Sequence, residues 1–159
     1  MAWLAIVLLI SIVMALVRGG RLLNLSEVKL RAWPLLLLGF GMQVAADRIP
    51  ADRSWSHDTA VTLVILSFIP LITIAWLNRH EAGMWLVGLG VFMNFTVIAV
   101  NGGMPVLPEA ASLGLGRDIT AIDFDALSKH VLLDEGTRLA FLGDVIPVRV
   151  LRNVISLGD

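Results

Sequence analysis

The 159-residue sequence contains no cysteine and no tyrosine. Without thiols there are no disulfides, no thiolate metal sites and no covalently attached c-type haem. Charge is scarce too: Asp, Glu, Lys and Arg make up 16% of the chain, against about 25% in soluble domains. The formal net charge is −1, so no overall basic character directs the chain to nucleic acid. A cleavable leader is not legible either. Met1-Ala2-Trp3 lacks a positive n-region, and the apolar run to Val17 ends in Arg18-Gly19-Gly20-Arg21 without a small-x-small site, so it reads as a retained membrane helix. What the sequence has in excess is apolar side chains, at 57% of residues with a mean hydropathy of +0.84. One soluble core of this size does not hide so much apolar surface; a bilayer does.

The pattern predicts an all-α, multi-pass membrane fold with about four transmembrane helices, over residues 2–17, 33–46, 59–77 and 84–100. The first two are short, and Leu22, Leu23 and Leu25 extend the buried surface of the first. Pro34 suits a helix start, where N–H groups are spare anyway. Pro70 lies inside the third helix and predicts a bend. Trp33, Trp76 and Trp85 fall near helix ends, as interfacial tryptophans do. Arg18, Arg21, Lys29 and Arg31 follow the first helix, and Arg79 follows the third. Arg48 and Arg53, after the second, are balanced by Asp47, Asp52 and Asp58. The positive-inside rule then puts the first and third connections in the cytoplasm, and the N-terminus and residues 101–159 outside.

Two regions follow: a transmembrane region, 1–100, and an exterior, membrane-associated segment, 101–159, holding 8 of the 13 acidic residues. Asp123 or Asp125 is placed to cap a helix running to about Glu135, with Leu127, Val131 and Leu132 as its apolar stripe and Gly136 as its stop. The apolar stretch 139–148 is too short to span and is broken by Gly143 and Pro147. It packs on helix ends, lies in the interface or dips in as a re-entrant piece. Val150, Leu151, Val154, Ile155 and Leu157 predict a last amphipathic turn or two. Leu142-Gly143-Asp144 recurs as Leu157-Gly158-Asp159.

The candidate site residues each have a functional and a structural reading. Asn94 and Asn101 share one face of the fourth helix. With Gln43 they are intramembrane polar residues, lining a polar cavity or making interhelical hydrogen bonds; the second reading is favoured. Gly83, Gly88 and Gly90 thin that helix for close packing. Asn101-Gly102-Gly103-Met104-Pro105 reads as a turn, although its N–H groups also suit an anion. Arg18 and Arg21 are candidates for lipid headgroups, beside their role in topology. His130, Asp134, Asp144 and Asp159 are the candidate catalytic set. On a helix, His130 and Asp134 lie at i, i+4, where a carboxylate orients an imidazole for acid–base chemistry or a divalent metal. No HExxH or other ligand spacing accompanies them, so no metal and no cofactor is assigned, and a solvated helix face is favoured. Asp144 and Asp159, each after a glycine, read as caps of following turns or as buried acids with raised pKa.

Arg18-Gly19-Gly20-Arg21-Leu22 with Asn24-Leu25, Arg31, Gln43, Asn101-Gly102-Gly103-Met104-Pro105-Val106, Lys129-His130, Phe141-Leu142-Gly143-Asp144-Val145-Ile146-Pro147 and Ile155-Ser156-Leu157-Gly158-Asp159 occur in that order. Together they resemble the family catalogued as domain of unknown function 5317, small multi-pass bacterial membrane proteins. The resemblance covers nearly the whole chain. It implies a bacterial cytoplasmic-membrane protein and carries no activity. It also implies a final membrane helix after the segment matching 155–159, where this sequence stops; either this is a natural short form or a truncated one.

Three functions compete. The leading one is a non-catalytic accessory or scaffolding subunit, with a protein partner or a second copy meeting its membrane helices. The second is a membrane-surface enzyme with His130 as base and a carboxylate partner. The third is a small transporter or channel component, lined by Pro70, Asn94 and Gln43.

Overall fold

The computed structural model describes residues 2–21, 29–50, 52–119 and 129–159. It divides into two compact units, Met1–Arg31 and Ala32–Asp159. Among the described residues the first unit holds one helix, α1 (Ala2–Val17), closed by Gly19 in the left-handed conformation at φ 84°. Arg18 and Arg21 follow it, both exposed, where cations complement the partial negative charge of a helix C-terminus. The expected extension through Leu22, Leu23 and Leu25 lies outside the described residues.

The second unit is built on three apolar helices, α2 (Pro34–Ala46), α3 (Ser56–Leu77) and α4 (Met84–Asn101). α3 packs against both of the others. Gly39 permits the first contact, since a Cβ there would lie 2.6 Å from the Leu71 side chain. On the other side of α3, Phe68 meets Phe95 edge to face, with ring centroids 5.9 Å apart. Ala46, Ala60, Val61, Val64, Phe68 and Val97 form the centre of the core. Pro70 is buried within a continuous α3.

Of these helices, α3 and α4 are long and apolar enough to cross a membrane. At 1.5 Å per residue they reach roughly 33 and 27 Å, against a hydrocarbon core of about 30 Å. α2 is apolar but has 13 residues, and the described apolar part of the first helix is Leu8–Val17. Four crossings therefore do not follow from helix length.

The chain is mostly helical, with five α-helices among the described residues, but it is not all-α. Gly102, at φ 68°, ends α4, and both Gly102 and Gly103 donate to the Ile98 carbonyl. The chain then enters β1 (Met104–Val106) and α5 (Pro108–Leu115). Residues 130–132, expected within a helix, form β2 (His130–Leu132), parallel to β1 with Met104 opposite His130. The ladder explains the departure. Met104 N–H donates to Lys129 O and Leu133 N–H to Val106 O, and Val131 is β-branched. A short apolar stripe is compatible with either period; the strand is the one with a partner. The rest of that expected helix lies at 120–128, outside the described residues.

The apolar stretch near residue 140 forms a 3-10 turn, Ala140–Leu142, and then β3 (Ile146–Val148). A second 3-10 turn, Arg149–Leu151, leads to β4 (Asn153–Ile155), antiparallel to β3. The expected amphipathic helical end is thus a hairpin. Residues 101–159 belong to the same compact unit as α2, α3 and α4.

Candidate functional site

Several of the sequence-selected polar residues gather along α4. Asn94 donates through Nδ2 to Asp159 Oδ1 at 2.9 Å and accepts from Ser156 Oγ at 3.0 Å. Asp159 Oδ2 accepts the Ser156 N–H at 3.0 Å, closing a four-residue turn. Glycine makes the approach possible: a Cβ on Gly90 would sit 2.5 Å from the Gly158 carbonyl oxygen. The Asn94 side chain therefore bonds not to a neighbouring helix but to the turn at residues 156–159. The Asp159 carboxylate bonds backwards to the Ser156 N–H, as the acidic member of a capping box does.

Asp144 reaches the same neighbourhood by another route. Its backbone bridges Val106 in a parallel sense, its N–H donating to Pro105 O at 2.8 Å and its C=O accepting from Leu107 N–H at 3.1 Å. β1 thus runs between residue 144 and β2. No helix follows Asp144, so the capping role fails: its strand-like pairing to β1 replaces it. The two side chains converge, with His130 Nε2 3.7 Å from Asp144 Oδ2. That is beyond direct hydrogen-bond reach but within ionic range.

The electrostatics decide what the pair is. Burial first, then the Lys129 ammonium, pushes the His130 imidazole down to about 4, with Asp47 opposing. Burial, then the Asp159 carboxylate, pushes Asp144 up to about 7, with Lys129 opposing. The distance suggests an ion pair, but at neutral pH the imidazole is uncharged and Asp144 shares its proton with solvent. Asp144, not His130, is the group poised to exchange a proton near pH 7. The buried Nδ1 of His130 has no hydrogen-bond partner among the described residues. Lys129 itself pairs with Asp47 at 2.8 Å, an exposed contact worth at most about 1 kcal/mol.

The other candidates lie elsewhere. With His130 on a strand, the i, i+4 relation to Asp134 does not hold. Asp134 Oδ1 instead accepts from Gly136 N–H and Thr137 Oγ1, at 2.9 and 3.0 Å, in its own turn. Asn101 grips the backbone of Arg138 in both directions, at 2.8 and 2.9 Å. Gln43 donates to Ser67 Oγ at 3.1 Å, joining α2 to α3. Among the described residues no hydrogen bond joins Gln43 to Asn94; each bonds to a different partner. Among the described residues, no three His or carboxylate side chains gather as a metal would require. Sequence reasoning passed over Ser156, and over His57, whose Nε2 lies 2.9 Å from Gly102 O and ties the start of α3 to the end of α4. The spacing of Ser156 and Asp159, three apart, was the available signal for the first; nothing local marks the second.

These features define a mostly helical protein with two helices of membrane-spanning length and a small mixed segment folded onto the end of α4. The chain belongs to the family described as Family of unknown function (DUF5317), whose model matches residues 27–159. A Thermotoga maritima protein described as uncharacterized is 34% identical over 101 residues, covering 61% of this chain and 55% of that protein. The chain thus spans about half the length of the curated relative it matches. No solved structure matches.

Proposed function

We propose that this chain is a multi-pass protein of the bacterial cytoplasmic membrane that acts as a non-catalytic accessory or scaffolding subunit. One observation carries the reading. α4 is apolar along a membrane-length window, yet only 11% of that window is buried within the chain. A core helix of a soluble protein would be mostly covered. Leu86 is 74% exposed, and Trp85, Leu89 and Phe92 share that exposure, as do Leu37 and Phe40 on α2. In this reading lipid covers part of that surface and a partner subunit or a second copy covers the rest. α1 and α2 complete four crossings, and Arg18 and Arg21 meet lipid headgroups. The N-terminus and residues 101–159 lie on the outer side, with the turn at 156–159 reaching into the membrane layer beside Gly90 and Asn94 of α4. Meanwhile Gln43, Asn94, Asn101, Asp134 and Asp159 all make hydrogen bonds within the chain, as structural residues do.

Native mass spectrometry of the protein, gently extracted from its own membrane, tests this. A stoichiometric partner or a defined homo-oligomer is expected. A monomer carrying only lipid would contradict it.

A second reading is favoured by the His130–Asp144 pair. Here the same segment is an acid–base site at the membrane surface, with Asp144 exchanging the proton and His130 as its neutral neighbour. Asp159 tunes Asp144 by its charge. If Asp144→Asn leaves the pH profile of stability unchanged, this reading is lost.

A further inference from the structure

A cavity beside α5 carries a different chemistry. It has a volume of about 560 Å³ and lies at the C-terminal end of α5, where Ser112, Gly116, Arg117, Arg149 and Arg152 contribute to its wall. Arg117, Arg149 and Arg152 all line it, and among the described residues no acidic residue does. Asp118 follows Arg117 in sequence but is not part of the wall. Among the described residues no ion pair engages Arg117, Arg149 or Arg152.

Like charges do not share a cavity without cost. Among the described residues the compensation comes from the C-terminus of α5, whose partial charge is about −0.5 at most. Even that is partly used: the Ser112 carbonyl accepts both Gly116 N–H at 2.9 Å and Arg117 N–H at 3.2 Å. Among the described residues the three positive charges are thus largely uncompensated. Arg152 holds φ 48°, a conformation that costs a non-glycine residue of order 1 kcal/mol and recurs at ligand clamps. Guanidinium forks match phosphate oxygens two at a time, which lysine does not.

We infer that Arg117, Arg149 and Arg152 form a binding site for a phosphate-bearing anion. A phospholipid headgroup and a soluble diphosphate share this chemistry. The neighbouring side chains favour the lipid. Val150, between two of the arginines in sequence, is 89% exposed, and Leu113 in the wall is 43% exposed. Both offer apolar contact to an acyl chain and nothing to a soluble anion. This inference is independent of the accessory reading.

The test uses the full chain in detergent, titrated with phosphatidylglycerol, with phosphatidylcholine or with inorganic pyrophosphate and read by native mass spectrometry. The Arg149→Gln/Arg152→Gln double variant is compared with the parent. Both positions are exposed, so the fold should survive; an unchanged thermal midpoint checks this, and the Arg149→Lys/Arg152→Lys variant keeps the charge if it does not. An Arg18→Gln/Arg21→Gln control separates headgroup binding at the first helix. The expected result is a phosphatidylglycerol preference that falls about thirty-fold in the Gln variant, the effect of two basic residues at a lipid surface. Arginine-dependent binding of pyrophosphate without a lipid preference would keep the phosphate site and assign it to a soluble ligand. Equal binding of all three probes by parent and Gln variant would overturn the inference.

Discussion

Replacing Gly90 by valine should detach the C-terminal turn from α4 and lower the stability of the protein. The new Cβ would meet the Gly158 carbonyl oxygen at 2.5 Å and its carbonyl carbon at 3.4 Å. Both are backbone atoms, so no rotamer change relieves the contact. From the other side, a Cβ on Gly158 would meet the Asn94 amide and the Gly90 carbonyl oxygen. The two glycines therefore set the distance at which Asn94, Ser156 and Asp159 can bond. Overpacking of this kind costs about 1–3 kcal/mol. Valine recovers a few tenths of a kcal/mol through better helix propensity, so the sum remains unfavourable. Gly41→Val is the matched control. Gly41 lies in α2 and has nothing within 4 Å of a Cβ, so only the small propensity gain applies. Thermal unfolding in detergent, together with the rate of tryptic cleavage at Arg152, should separate the two variants. Equal behaviour would contradict the packing argument.

The second large effect concerns pH. The Asp144→Asn variant should be more stable than the parent at pH 8 and indistinguishable from it near pH 4. In the folded protein Asp144 titrates at about 7, above its ordinary 3.8. Its contribution to stability is fully present below about pH 4 and is lost as pH rises through 7. His130 runs the other way. Folded, it titrates at about 4, below its ordinary 6.5, so its contribution is present above 6.5 and is lost as pH falls through 4. Between those limits the two slopes oppose and partly cancel in the parent. Above pH 7 the ionised Asp144, buried near Asp159, stands alone as the loss. At about 1.4 kcal/mol per pKa unit, removing it is worth at most roughly 4 kcal/mol. Thermal midpoints from pH 4 to pH 8.5 measure it. Parallel curves for parent and variant would show that Asp144 is an ordinary solvated carboxylate and remove the basis for an acid–base site.

The helices were legible because their signal is local. The apolar run 2–17 coincides with α1, and Pro34 begins α2 as its fixed φ allows. α3 begins earlier than its apolar run, at Ser56, and His57 in its first turn meets the Gly102 carbonyl across the fold. That contact has no local signature. The C-terminal segment is less legible for the same reason. Its strands are three residues long, and Pro105 within β1 argues against a strand in any local scheme. What fixes them is a ladder between Met104 and His130, and another between Ile146 and Ile155.

The site was half legible. His130, Asp144, Asp159 and Asn94 are recognisable by residue type, yet only the packing of β1 and of Gly90 against Gly158 shows which of them meet. Asp134, the expected partner of His130, is excluded by the strand. The repeated Leu-Gly-Asp is informative in hindsight. Both glycines sit where a Cβ would strike backbone, Gly143 against Pro105 O at 2.6 Å and Gly158 against Gly90 O at 2.8 Å. Both aspartates then come close enough to influence each other.

The central claim is that the apolar helices lie in a membrane with residues 101–159 on its outer side. The natural absence of cysteine makes one measurement direct. Single cysteines are introduced as Glu81→Cys, in the turn after α3, and as Glu135→Cys, after β2; both positions are exposed. Intact cells are treated with a membrane-impermeant maleimide, and the membranes are then washed with alkaline carbonate. The account predicts that the Glu135→Cys protein is labelled in intact cells, that the Glu81→Cys protein is labelled only once the membrane is opened, and that both stay in the carbonate-washed membrane. Labelling of Glu81→Cys in intact cells, or release of the protein by carbonate, would contradict it.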